Sequence, residues 1–169
     1  MNMLSMVVLF ILLSSILSGC LQSSKKDGGE DFVFTALDGT KKHLSDYRGK
    51  IVILDMWATW CGPCQLMMKE LKKVYENYSR DNLEIISIDI DSSESAQLIQ
   101  DYRDWFVQYY GIELDWIFGR DDGSIWEKYH VGDGIPNLHI FDKNGKVYYS
   151  NEGYESYSTL ASKIDELIG

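Results

Sequence analysis

Basic runs are absent from this chain, and in 169 residues there are only two prolines and three cysteines. Each scarcity excludes something. With 16 Lys and Arg against 26 Asp and Glu, and a net charge of −10, there is no cationic cluster to neutralise a phosphate backbone, so nucleic acid is excluded as a partner. Three cysteines cannot staple a disulfide scaffold, and a chain of this length with 45% hydrophobic residues buries a sufficient core without one. The cysteines are therefore free for chemistry. No apolar run reaches the roughly 18 residues that a helix needs to cross hydrocarbon. Internal repeats are lacking too, which excludes solenoids and arrays.

The first 20 residues hold no charged side chain, and Met6 to Leu17 is apolar apart from Ser14 and Ser15. That length suits the apolar region of a secretory signal. The run ends in Leu17-Ser18-Gly19-Cys20, which resembles the lipobox of prokaryotic lipoproteins, although Met1 to Ser5 carries no Lys or Arg. The resemblance implies a signal peptide over 1–19, a lipid on Cys20, and a protein anchored to the cell membrane on its extracytoplasmic side. An uncleaved anchor is the alternative. Residues 21–30 contain Gly28-Gly29 and lack apolar periodicity, so 20–30 reads as a lipidated cysteine with a flexible leash. A single domain over 31–169 remains.

Within that domain Phe32, Phe34 and Ala36 alternate on one face, and Asp38-Gly39 turns the chain into Lys41 to Leu44, an amino-terminal hairpin. Ile51-Val52-Ile53-Leu54 is a continuous apolar run that suits a central strand buried on both faces. The spacing of Met67, Leu71, Val74 and Tyr78 predicts a helix starting near Cys61, and Leu83 to Ile90 a second strand. Leu98, Tyr102, Trp105, Phe106 and Tyr109 mark the expected inner face of another helix, which assigns most of the aromatic stretch from Tyr102 to Phe118 to the core. Alternating strands and helices imply parallel pairing. Asn144-Gly145, between Leu138 to Phe141 and Lys146 to Ser150, predicts an antiparallel hairpin, and Leu160, Ile164 and Leu167 a last helix. The expected class is α/β, a mixed central sheet flanked by helices.

Cys61-Gly62-Pro63-Cys64 falls where the central strand gives way to a helix. A thiolate at a helix amino terminus is stabilised by unpaired N–H groups and the positive end of the helix dipole, so Cys61 is expected to be the nucleophile with an exposed sulfur. With two residues intervening in the same turn, Cys64 can attack the mixed disulfide and release the product. Pro63 restrains the turn at no cost in helix hydrogen bonds. Asp55, a carboxylate on an apolar strand, is expected to have a raised pKa. Trp60, beside the nucleophile, suits partner contact, whereas Trp57 is expected to pack.

Around these residues, Trp57-Ala58-Thr59-Trp60-Cys61-Gly62-Pro63-Cys64 resembles the active-site segment of the thioredoxin superfamily. Leu44-Ser45-Asp46-Tyr47-Arg48-Gly49-Lys50 resembles the lead-in of its membrane-anchored extracytoplasmic reductases, which serve cytochrome c maturation and related thiol reduction. The resemblance implies a thioredoxin-like fold and a thiol-disulfide oxidoreductase that uses the Cys61-Cys64 dithiol and no cofactor. It places Asp55 as the buried carboxylate that manages the proton of Cys64, and Ile135-Pro136 as a cis-proline segment. Gly62, Pro63, Ile135, Pro136 and Trp60 would face substrate. Implied partners are protein thiols and disulfides, a membrane electron donor and, through Cys20, the lipid membrane, with the protein a monomer. Ser87 stands where cytoplasmic members carry a Lys, Lys69 where many have a helix-kinking proline, and Asn137 where a Thr commonly follows the cis-proline.

Other readings stay open. A thiol oxidase or isomerase would use the same fold, and a non-catalytic thiol-binding chaperone or metallochaperone would not need both cysteines. Half a zinc site is disfavoured, because His43, His130 and His139 are scattered and Cys20 is the only further cysteine.

Overall fold

The apolar run at residues 51–54 becomes the middle of the molecule because each of its faces meets a different layer. In the computed structural model, which describes residues 30–169, β3 (Ile51–Trp57) is buried along its whole length. The proposed signal peptide, Cys20 and most of the leash lie outside the described residues. Successive side chains of a strand point to opposite faces. Thus Ile51, Ile53 and Trp57 join one hydrophobic layer, and Val52, Leu54 and Met56 the other. By the same alternation Asp55 points into the first layer, the one that holds Cys61 and Cys64.

Seven strands form one sheet in the order β2-β1-β5-β4-β3-β6-β7. They are β1 (Val33–Ala36), β2 (Lys41–His43), β3, β4 (Leu83–Asp89), β5 (Ile117–Arg120), β6 (Asn137–Phe141) and β7 (Val147–Glu152). β3, β4 and β5 run parallel, and the remaining pairings are antiparallel, including the expected hairpin of β6 with β7. The long helices α1 (Gly62–Asn77), α2 (Ala96–Tyr110) and α4 (Tyr157–Ile168) cover the first layer through Met67, Leu71, Phe106, Leu160 and Ile164. The short helix α3 (Ser124–Tyr129) contributes Ile125 and Tyr129 to the second layer, where Phe32, Phe34 and Ala36 of the amino-terminal hairpin also pack. The class is the mixed, helix-flanked sheet expected above.

Two features depart from the sequence reading. β5 and α3 lie in a span with no clear periodicity, and β5 is the strand that joins the amino-terminal hairpin to the sheet. Gly119 permits that junction: a Cβ there would stand 2.6 Å from Phe34 Cδ2 and 2.9 Å from the Thr35 carbonyl oxygen. The second departure is the face of α2. Ile99, Tyr102 and Phe106 are buried, whereas Leu98, Trp105 and Tyr109, assigned above to the core, are exposed. Tyr102 and Phe106 belong equally well to a stripe that begins at Ile99, and that is the stripe the core takes.

Candidate redox site

Strand β3 ends at Trp57, the chain turns through Ala58, Thr59 and Trp60, and Cys61 caps α1. The cap has extended backbone geometry, and the Cys61 sulfur accepts the Cys64 N–H at 3.2 Å. Cys61 and Cys64 form a disulfide. The same N–H also reaches the Cys61 carbonyl oxygen at 3.2 Å, and at the helix start it would meet a Cys61 thiolate in the reduced protein. The Ile135 carbonyl oxygen lies 3.6 Å from the Cys61 sulfur, and the Ile135-Pro136 peptide bond is cis. Strand β6, antiparallel to β3, begins directly after it and delivers this loop to the carboxyl end of the central strand.

The expected exposed sulfur is not found in this oxidised state: Cys61 is 3% exposed and Cys64 buried. The loop at Ile135 lies against it. Gly62 and Pro63 are exposed, Ile135 is half-buried and Pro136 is buried, with its carbonyl taken by the Gly153 N–H at 2.8 Å. Of the residues expected to face substrate, Gly62, Pro63 and Ile135 are thus accessible, whereas Pro136 lies beneath the loop. Trp60 is 65% exposed, its indole N–H held at 2.9 Å by Asp91. Trp57 is buried against Tyr102 and Phe118.

Asp55 is fully buried. The Ser87 hydroxyl, its register neighbour on β4, donates to Oδ2 at 2.8 Å and itself accepts the Trp116 indole N–H at 2.9 Å. Oδ1 has no partner among the described residues. Burial outweighs the single hydrogen bond and pushes the Asp55 carboxyl up to about 7. A carboxyl in that range can exchange a proton near neutrality.

Asn137, directly after the cis-proline, is a loop clamp. Its amide nitrogen donates to the Val131 and Gly134 carbonyls at 2.7 and 3.2 Å, and its oxygen accepts the Val131 N–H at 3.3 Å. His139 Nε2 lies 3.2 Å from that same oxygen, and His139 Nδ1 2.7 Å from the Ser150 hydroxyl. Since the Asn137 oxygen only accepts, Nε2 carries the proton and Ser150 donates to Nδ1. Burial holds the imidazole neutral, down to about 4.

Sequence reasoning missed a second carboxylate group. Glu94 is buried and grips the active-site turn, accepting the Thr59 N–H at 3.1 Å and the Thr59 hydroxyl at 2.5 Å. Asp89, opposite Trp57 at the end of β4, is buried too. Its own burial and the facing Glu94 carboxyl push Asp89 well above the usual carboxylate range. The signal that singled out Asp55, an acid within an apolar strand, was equally present at Asp89. Nothing local marks Glu94, which lies in a loop.

Comparison with known proteins agrees with this geometry. The AhpC/TSA family model matches residues 27–150. The chain is 33% identical to the thiol-disulfide oxidoreductase ResA of Geobacillus kaustophilus over 69% of its own length and 63% of that protein. It thus spans just under two thirds of that relative. Against ResA of Bacillus cereus the identity is 33% over 81% of this chain and 75% of the relative. The crystal structure of the exposed lipoprotein thioredoxin Etrx1 of Streptococcus pneumoniae superimposes with a TM-score of 0.64 at 25% identity, covering 82% of this chain and all of that one.

Proposed function

The chain belongs to the AhpC/TSA family with a thioredoxin-like fold, and from that premise we propose that it is a thiol-disulfide oxidoreductase that reduces disulfides of exported proteins. One observation carries the reading: a Cys61–Cys64 disulfide at the amino terminus of a long helix, with the Cys61 sulfur facing both the Cys64 N–H of the first helical turn and the loop of Ile135. In the reduced protein the Cys61 thiolate attacks one sulfur of a substrate disulfide. That bond breaks, Cys61 becomes joined to substrate, and the departing thiolate takes up a proton. Cys64, deprotonated towards Asp55, then attacks the Cys61 sulfur. The enzyme disulfide closes, the second substrate thiol leaves, and two electrons have passed to substrate.

The lipobox-like Leu17-Ser18-Gly19-Cys20 supports a tether: the protein is lipidated on Cys20, held at the cell membrane and faces the extracytoplasmic side. A membrane electron donor of thiol type restores the dithiol. Apocytochrome c, whose haem-binding cysteines must be reduced, is a substrate of the right chemistry. The names of the ResA relatives and the lipoprotein Etrx1 support the activity and the tether respectively.

The test is the midpoint potential of the Cys61–Cys64 couple together with partner trapping. A potential near about −270 mV supports a reductant, and one near about −120 mV would make the protein an oxidase instead. Cys64→Ser should accumulate mixed disulfides on Cys61. Accumulation in Cys61→Ser would reverse the assignment of nucleophile and resolving thiol.

A further inference from the structure

We propose that the exposed edge of α2 formed by Leu98, Trp105 and Tyr109 is a docking ledge for a polypeptide substrate that carries a Lys or Arg close to its reactive cysteine. The inference rests on the oxidoreductase reading and adds the chemistry of the substrate to it. Spacings of seven and four residues put the three side chains on one face of the helix. They are 44%, 38% and 68% exposed, although they are the large apolar groups that a core stripe would use.

The ledge runs alongside the redox pair. At the start of α2 the preceding loop grips the active-site turn, Glu94 on Thr59 and Asp91 on Trp60. At its end, the Tyr110 hydroxyl bonds Gln65, the residue after Cys64, at 3.3 Å. A chain disulfide-linked to Cys61 therefore lies within a few residues of these rings.

Two observations select a cation. The Trp105 and Tyr109 rings are stacked, with centroids 5.3 Å apart and planes at 16°, while Tyr110 stands edge-on to both. An ammonium is attracted to the face of such rings, and within this molecule Lys69 Nζ already sits 3.5 Å from the centre of the Tyr110 ring. Next, the acid that shares this face is not neutralised: Asp101, three residues after Leu98 and four before Trp105, is held by the amide of Gln97 and forms no ion pair among the described residues. Arg103 on the same helix bonds the Leu114 carbonyl and the Gln100 amide oxygen, and pairs with no carboxylate among the described residues.

The experiment uses the reduced full chain and three synthetic disulfide peptides that differ only in one residue beside the cysteine, Lys, Leu or Glu. The small neutral bis(2-hydroxyethyl) disulfide is a fourth substrate. Lys should exceed Leu in kcat/KM by about threefold, the effect of one cation over an exposed ring, and Glu should fall below both. Tyr109→Ala should cut the Lys-to-Leu ratio to near one, and Asp101→Asn should lower the Lys-to-Glu ratio. Equal rates for the three peptides while the small disulfide is reduced would overturn the ledge and leave the redox reading standing, as would a Lys-to-Leu ratio that survives Tyr109→Ala. Reduction of none of the four would remove both.

Discussion

A single carboxyl illustrates how this site departs from ordinary residue chemistry. Asp55 has one hydrogen bond and one unpartnered oxygen in a buried layer, so its proton is held up to about pH 7. Between about pH 4 and 7 the folded state binds that proton more tightly than the unfolded chain, and stability contributed by the protonated form is lost as pH rises through this range. Asp55→Asn should therefore stabilise the protein at pH 8 by a few kcal/mol and hardly at all at pH 4. Denaturant melts at the two pH values check this. Release of Cys64 from its proton should slow in the same variant, lowering single-turnover release of substrate about tenfold or more. Unaltered release between pH 6 and 9 would take Asp55 out of the chemistry. Asn137 makes a different expectation. Asn137→Ala leaves the Val131 and Gly134 carbonyls without their donor, which should cost about 2 kcal/mol and speed hydrogen exchange across residues 131–135.

Among the elements, β5 is the one whose geometry depends on a missing side chain. It pairs with β4 on one side and with β1 on the other, and Gly119 sits opposite Ala36 and Ile88. With Phe34, the Thr35 carbonyl and Ile88 all within 3.1 Å of an added Cβ, Gly119→Ala should overpack the junction and cost about 1–3 kcal/mol. The amino-terminal hairpin should loosen first, which limited proteolysis near residue 38 would detect. Helix α2 teaches the converse lesson. Its apolar residues cover more than one face, and only packing against β3 and α1 decides that Ile99, Tyr102 and Phe106 go inward while Trp105 and Tyr109 stay out.

For the whole molecule the buried titrating groups act in opposite directions. His139, held neutral down to about 4, contributes stability that is lost as pH falls below its usual value of 6.5. Asp55 and Asp89, both raised, lose stability as pH climbs from about 4 towards neutrality and beyond. Two carboxyls outweigh one imidazole, and the net charge of −10 adds self-repulsion at higher pH. Thermal stability should therefore be greater at pH 5 than at pH 8, with Asp55→Asn narrowing the gap. A Tm that rises from pH 5 to pH 8 would contradict the burial of both acids.

Local pattern was enough to determine the central strand, the helix that follows Cys61, the Asn144-Gly145 hairpin and the placing of Cys61 and Cys64 together at a helix start, because each depends on residues adjacent in the chain. Alternation, helical spacing and turn chemistry are properties of short segments. The rest was decided by contacts between distant segments. Whether Cys61 is covered depends on a loop 74 residues away, the placing of β5 on a glycine that meets β1, and the task of Glu94 on a turn 35 residues before it. Burial and hydrogen-bond partnership arise only when the layers close, so the clamp of Asn137, the second carboxylate group and the exposed aromatic edge of α2 became readable only in the folded structure.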